Sequence, residues 1–398
     1  MKICLVSNVY PPSRLGGAEI YVERLARWLA IDNEVMVITT EPGRRFRVRR
    51  EVASHGLVIY RLAPINVAHL SQVEGGLLQK TVYRSVDLVH PQVFLTVRHL
   101  LAAERPDLVH VHNWIGISLS AVLLGAKLRG VPTALTLHDY GLLCVYGSLF
   151  HHADGHQCRP DLECRVLTVL SRGMTSGVRL VISPSNFVME EHRRRGFFGN
   201  AIQKRLPYGV EPASFPSKAQ QKATFDVLFM GRIQRHKGLS VLIRAFRRLP
   251  SDRLRLHIAG TGPLVGECLQ LASGDPRIHF YGFVGGEAKR SLLETADALV
   301  LPSLWPDNYP LSIQEAFQAG AVTLASRIGG IPEMINDGVN GLLLPPGDET
   351  ALAEAIDRLS RSPELAEALR SAAHESVRQD DMADHIPRII AAYRELLF

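Results

Sequence analysis

At 398 residues, 46% hydrophobic and 21% charged, the chain is long enough for two buried cores and too apolar to be disordered. Its 32 glycines and 23 prolines are dispersed, which excludes a low-complexity or short-repeat architecture. The net charge of +6 is uneven: residues 1–212 carry 25 Lys+Arg against 17 Asp+Glu, giving +8, and residues 213–398 carry 20 against 22, giving −2.

The opening Met1–Ser7 holds one basic residue and a short apolar run, and Pro11-Pro12 follow too soon for the apolar core of a signal peptide. Lys2–Ser7 reads as a buried strand, and Ala18–Ala30 has helical spacing through Ile20, Leu25, Trp28 and Leu29. Strands are predicted at Glu34–Thr39, Leu57–Leu62 and Leu108–His112, a helix at Leu119–Arg129, and strands at Thr133–Leu137 and Leu180–Ser183, with a helix after Ser185. The second half repeats the plan. Strands are predicted at Asp226–Met230, Leu254–Ala259, Arg277–Phe280, Ala298–Leu301 and Val322–Ala325. Helices are predicted at Leu239–Arg248, Leu311–Ala319, Thr350–Arg361 and Pro363–Gln379. Such alternation implies parallel sheets covered by helices. Between the halves, Leu206–Pro212 and the polar run Ser217–Thr224 have a linker composition. We therefore expect domains at 1–212 and 213–380, with a final helix over 381–398 packing back on the first domain.

No stretch approaches the roughly 18–20 apolar residues that span a bilayer. Five cysteines, an odd number in a long chain, argue for a reducing compartment over a disulfide framework. The expected location is cytoplasmic, at the inner face of the membrane where the basic clusters reach it. Arg44, Arg45, Arg47, Arg49 and Arg50 read as one loop, and Arg193, Arg194 and Arg195 as another. Both suit acidic lipid headgroups or anionic substrates, although a solvated basic surface is the plainer reading of either alone. No nucleic-acid partner is expected.

Two segments carry the chemistry. In Gly231–Gly238, after a strand and before a helix, Gly231 lets the backbone approach a ligand, and Arg232 and Lys237 can converge on a phosphate. In Pro302–Ala316, Asp307 falls in the loop after a strand and Glu315 one turn into the next helix. The unpaired N–H groups from Leu311 to Ile313 lie between them and suit an anion. One carboxylate can then accept from sugar hydroxyls and the other from a ribose diol.

These segments resemble the fourth glycosyltransferase family (glycosyl transferases group 1). So do Ala259–Leu264, Tyr281–Val284, Gly329–Glu333 and Asn340–Asp348 and, in the first half, Gly16–Glu19, Leu137–Tyr140 and Ser183–Ser185. The motifs cover nearly the whole chain. The resemblance implies an α/β chain with two Rossmann-like domains facing across a cleft, the glycosyltransferase B fold. It further implies a retaining hexosyltransferase that needs no cofactor and no catalytic metal and takes a nucleoside-diphosphate sugar as donor. The acceptor would be lipid-linked, a polysaccharide or another glycan. Arg232 and Lys237 would hold the diphosphate, Glu315 the ribose, and Asp307 the hydroxyls of the hexose. The backbone from Asn308 through Tyr309, Pro310, Leu311 and Ser312 would cradle hexose and phosphate. Gly16 and Gly17 would close on the diphosphate, and His138 would sit beside the reacting carbon. His112, Asp139, Ser185 and Tyr208 are the acceptor-side candidates. The chain departs from the family at Asp307, where Glu is usual, at Tyr208, where Asn is common, and at Ala321, where proline is common.

Other features have plainer readings. His110 and His112 flank Val111 on one side of a strand, too few for a metal, so a strand-end hydrogen-bonding role is expected, with His112 lining the cleft. Asp139 orients the imidazole of His138 or caps a turn. Cys144, Cys158 and Cys164, interleaved with His151, His152 and His156, are zinc candidates, though their spacings match no standard finger. Ala259–Gly266 mimics a dinucleotide fingerprint, but Pro263 and the missing third-glycine spacing argue against a nicotinamide site. Two competing functions stand beside the transferase: a nucleotide-sugar epimerase of the same architecture, which would need no acceptor, and a non-enzymatic sugar-nucleotide sensor.

Overall fold

The computed structural model describes residues 1–13, 16–43, 45–65, 90–151, 155–158, 161–213, 215 and 222–398. By their contacts they divide into two compact units, Met1–Val145 with Asp161–Gly209 and Met382–Phe398 (unit 1), and Tyr146–Pro160 with Val210–Asp381 (unit 2). Tyr146–Pro160, expected in the first domain, groups with unit 2. Most of the polar linker run, like His152 and Arg44, lies outside the described residues.

Unit 1 is built on eight strands: β1 (Lys2–Ser7), β2 (Glu34–Thr40), β3 (Arg47–Val52), β4 (Val58–Ala63), β5 (Leu108–Asn113), β6 (Thr133–Thr136), β7 (Leu180–Ser183) and β8 (Ile202–Arg205). Their order is β8-β7-β6-β5-β1-β2-β4-β3. All neighbours are parallel except β3 and β4. β1 holds the centre because Ile3, Cys4, Leu5 and Val6 are wholly buried, as a strand covered on both faces requires. The helices are α1 (Gly17–Leu29), α2 (Pro91–Glu104), α3 (Leu119–Lys127), α4 (Leu162–Thr175) and α5 (Asn186–Arg193). α1 buries Tyr21, Val22, Leu25, Ala26 and Leu29, the stripe its sequence period sets.

Unit 2 carries a parallel sheet of β9 (Phe225–Met230), β10 (Leu254–Ala259), β11 (Ile278–Gly282), β12 (Ala298–Leu301), β13 (Val322–Ser326) and β14 (Leu342–Leu344), ordered β11-β10-β9-β12-β13-β14. Its helices are α6 (Leu239–Arg247), α7 (Val265–Ala272), α8 (Gly286–Thr295), α9 (Leu311–Gln318), α10 (Glu349–Arg361) and α11 (Pro363–Val377). Phe229, Leu242, Phe246, Ile258, Val300, Leu324 and Ile356 meet in one core. At the start of α10, Asp348 accepts from the N–H groups of Thr350 and Ala351, a side-chain cap. The final helix, α12 (Met382–Leu397), belongs to unit 1.

The two arginine clusters are not the free loops expected from sequence. Arg47–Val52 is the edge strand β3, where Arg47 and Arg49 each reach Glu41 at 2.9 Å. Arg193 ends α5, and Arg194 and Arg195 bind Glu190 and Glu191 at 3.1 and 2.6 Å. Pairing with nearby acids leaves both clusters with less charge to offer a ligand. Among the described residues, no helix is long and apolar enough to cross a membrane.

Candidate functional site

In unit 2 four of the quoted motifs leave the carboxyl ends of strands, where parallel sheets bind ligands. Gly231 follows β9, Gly260 follows β10, Asp307 stands in the loop after β12, and Gly329 follows β13. Two glycines let these loops meet. Gly238 has a φ of 71°, and a Cβ there would overlap the Pro302 carbonyl. Gly329 has a φ of 64°, and a Cβ would overlap the Asp307 carbonyl, which instead accepts from Gly330 N–H at 2.7 Å. Any side chain at either position would push the loops apart.

What those glycines bring together is the Asp307 carboxylate and the Lys237 ammonium, 2.6 Å apart. The same carboxylate oxygen also accepts from Ser303 Oγ at 3.3 Å and Trp305 Nε1 at 3.2 Å, and the other oxygen accepts from Asn308 N–H at 3.2 Å. Lys237 Nζ further lies 4.9 Å from the centre of the Trp305 ring. Asp307 is thus fixed by four donors, which holds the carboxylate in one orientation. Arg232, in the same loop as Lys237, is exposed.

Asn308, Tyr309 and Leu311 are buried, and Pro310 and Ser312 half-buried, as the chain enters α9. Pro310, the N-cap of that helix, makes no side-chain capping bond. Glu315, buried on α9, receives Lys289 Nζ of α8 at 2.7 Å. Tyr309 and Gln314 both donate to Asp380 Oδ2 at 3.0 Å, anchoring the loop and the first turn of α9 to the end of unit 2.

Unit 1 holds a buried chain of rings. Tyr208 Oη lies 2.5 Å from His138 Nδ1, and His138 Nε2 lies 3.1 Å from His112 Nδ1. His112 Nε2 has no partner among the described residues. His110 bridges Tyr393 Oη and Thr136 Oγ1, each at 2.7 Å, and Tyr21 Oη meets His385 Nε2 at 2.8 Å. Tyr21 packs against His112, His138, Tyr208 and His385. Burial disfavours imidazolium, pushing His110 and His138 down to about 3 and His385 to about 4, and holding His112 well below its usual value. These rings are neutral at pH 7. His112, expected to line a cleft, is fully enclosed.

The other unit 1 candidates have local roles. Ser185 Oγ caps α5 by accepting from Val188 N–H, and Asp139 Oδ1 accepts from Gly141 N–H at 2.7 Å, which closes a turn. Gly16 is the N-cap of α1 and Gly17 its first residue. Cys144 and Cys164 are buried in unit 1, whereas Cys158 groups with unit 2. Among the described residues, no group of three His, Cys, Asp or Glu side chains is arranged to hold a metal.

Two family models match nearly all of this chain: the glycosyl transferase 4-like domain over residues 16–209 and glycosyl transferases group 1 over residues 210–376. The chain belongs to the group 1 glycosyltransferases. Among its relatives, an uncharacterized glycosyltransferase of Methanocaldococcus jannaschii is 26% identical, over 90% of this chain and 89% of its own. The glycogen synthase of Mycobacterium tuberculosis is 25% identical, over 96% and 91%. Among solved structures, sucrose-phosphate synthase from Thermosynechococcus elongatus superposes with a TM-score of 0.78 at 22% identity, covering 99% of this chain and 98% of its own. Anabaena HepE in complex with UDP-glucose gives 0.72 at 18%, covering 99% and 100%. The fold is that of the B-type glycosyltransferases.

Several partners of this glycosyltransferase's site residues were not singled out in the sequence. Ser303 and Trp305 lie inside the Pro302–Ala316 segment, and their donors two and four residues before an acid were the available signal. Lys289, Tyr21, His385 and Tyr393 left none, because their partners are 26, 364, 364 and 283 residues away.

Proposed function

We propose that this glycosyltransferase moves a hexosyl group, with retention of anomeric configuration, from a nucleoside-diphosphate sugar to a lipid-linked or polysaccharide acceptor. The observation that carries the reading is the Lys237–Asp307 pair, a cation and a carboxylate held side by side ahead of a helix start whose N-cap, Pro310, makes no side-chain capping bond. Such a start offers N–H groups to an anion. The diphosphate gains charge as the glycosidic bond breaks, and Lys237 with Arg232 is assigned to stabilise it, so no catalytic metal and no cofactor are required. The Asp307 carboxylate is assigned to the hexose hydroxyls, Glu315 to the ribose, and His138, as a neutral imidazole, to the reacting sugar. Anabaena HepE with UDP-glucose and an Escherichia coli trehalose-6-phosphate protein with UDP-2-fluoro-glucose lend support to this donor class.

A thermal-shift screen of nucleotide sugars tests the reading. A donor at 100 times its dissociation constant should stabilise the fold by about 2.7 kcal/mol. If no nucleotide sugar shifts the melting temperature, the donor assignment fails.

A further inference from the structure

Helix α4 has its polarity reversed. Its inward face is Cys164, Ser171 and Thr175, all buried. Leu162, Val166, Val169 and Leu170, at spacings of four, three and one, face outward and are 76%, 51%, 58% and 47% exposed. A helix of a soluble domain normally does the opposite, and contiguous exposed apolar surface marks an interaction site. The neighbouring helix α3 adds Leu124, 49% exposed, and the Leu128 that follows it, 58% exposed. Between α2, α3 and the end of α4 opens a largely apolar groove of about 640 Å³, lined by Phe94, Leu123, Leu124 and Met174 among others.

The charges on this face are mostly positive. Lys127, Arg129, Arg165, Arg172 and Arg179 are exposed around the apolar residues. Among acids near this face, Asp161 is used to cap α4, Glu104 is tied to Lys2 Nζ and Asp107 accepts from the Lys2 N–H, each at 2.7 Å, which leaves Glu163. Arg165 and Arg172, seven apart, run along one flank of the apolar stripe. Outward leucines and valines edged by cations match an anionic bilayer, into which the apolar side chains insert while the guanidinium groups stay at headgroup level. A second copy of this chain would account for the apolar face but would bring the same excess of positive charge against it.

We propose that the α2–α3–α4 face of unit 1 docks on an anionic lipid bilayer, with the groove admitting one hydrocarbon chain from it. This deepens the lipid-linked acceptor reading, and because binding is measured without donor or acceptor, it can fail separately from that reading.

The test is co-sedimentation of the full chain with vesicles of phosphatidylcholine alone and of phosphatidylcholine mixed with phosphatidylglycerol. Binding is expected to the anionic vesicles and not the neutral ones, and to weaken as salt is raised. Val166→Ser with Leu170→Ser, and separately Arg165→Glu with Arg172→Glu, should each lower binding about tenfold or more. The control Leu269→Ser, an exposed leucine of unit 2, should bind as wild type. All these positions are exposed, and unchanged melting curves would establish that the variants fold. A tryptophan placed by Leu124→Trp should be quenched by brominated acyl chains beyond the wild-type level; its absence would remove the groove from the proposal. No binding of the wild type to anionic vesicles at low salt, or wild-type binding by both double variants, would overturn the docking surface. A wild-type dimer that Val166→Ser with Leu170→Ser converts to monomer, with no vesicle binding in either, would instead assign the face to a second copy.

Discussion

Asp307→Asn is expected to separate binding of the nucleotide from handling of the sugar. The substitution keeps the size of the side chain but removes the charge that Lys237 meets at 2.6 Å, and it turns an amide N–H₂ toward donors at Ser303, Trp305 or Asn308. Breaking a fully buried ion pair costs about 3–5 kcal/mol. The Lys237 side chain is 19% exposed and can be rehydrated, so we expect a smaller loss, about 2 kcal/mol, or roughly 4–8 °C in melting temperature. Transfer should suffer more, because hexose positioning matters most as positive charge builds at the anomeric carbon. Turnover is expected to fall at least about 100-fold, equivalent to about 2.7 kcal/mol of barrier. Nucleoside diphosphate affinity should hold or rise, since the carboxylate no longer competes for Lys237. Asp307→Glu should restore the pair and stay active, with a shifted preference among donor hexoses. Calorimetry with nucleoside diphosphate and turnover with the cognate donor read both effects. Wild-type turnover in a folded Asp307→Asn protein would refute the hexose assignment, and a tenfold loss of nucleotide affinity would refute the competition for Lys237.

Other outcomes follow from the same geometry. Lys237→Ala or Arg232→Ala should lower turnover by about two orders of magnitude or more, and near-wild-type kinetics in either folded variant would remove it from the diphosphate site. Glu315→Gln should weaken free nucleoside diphosphate, measured calorimetrically; unchanged affinity would contradict a ribose contact. Gly238→Ala should destabilise unit 2 strongly, because its φ of 71° and the Pro302 carbonyl leave no room for a Cβ, so a wild-type melting temperature would show that the loops are not so closely packed. His110 and His138 near 3 and His192 and His385 near 4 in the folded chain, against about 6.5 unfolded, mean that the unfolded state binds the extra protons. Stability should therefore be full above about pH 6.5 and decline toward pH 4, by up to about 1.4 kcal/mol per histidine per pH unit, so urea midpoints that do not change between about pH 7.5 and about pH 5 would contradict neutral burial.

Most strands of both sheets were legible because parallel strands buried on both faces must be apolar throughout, as Ile3–Val6 and Val227–Phe229 are. β3, β8 and β14 were not: Arg47–Val52 and the largely polar Ile202–Arg205 are edge strands with no apolar alternation to separate them from loops, and Leu342–Leu344 is an edge strand of only three residues. α4 escaped because its leucines and valines face outward, so its period does not mark a core. At the site, the acidic and basic residues were visible from their motifs, but the ion pair between Lys237 and Asp307 was not. It depends on Gly238 and Gly329 letting separate loops touch, a consequence of topology that no local window carries. The contacts among the buried tyrosine and histidine rings were hidden for the same reason: α12 brings His385 to Tyr21 and Tyr393 to His110.

The stereochemistry of donor turnover tests the central claim most directly. Once a stabilising nucleotide sugar is found, proton NMR of its anomeric signals during transfer, or during slow hydrolysis to water, should be followed with excess chelator present. The expected result is release of nucleoside diphosphate with a first-formed product that keeps the donor's anomeric configuration, at a rate the chelator does not change. A first-formed product of inverted configuration, turnover abolished by the chelator, or a donor returned as an altered nucleotide sugar without transfer would contradict it.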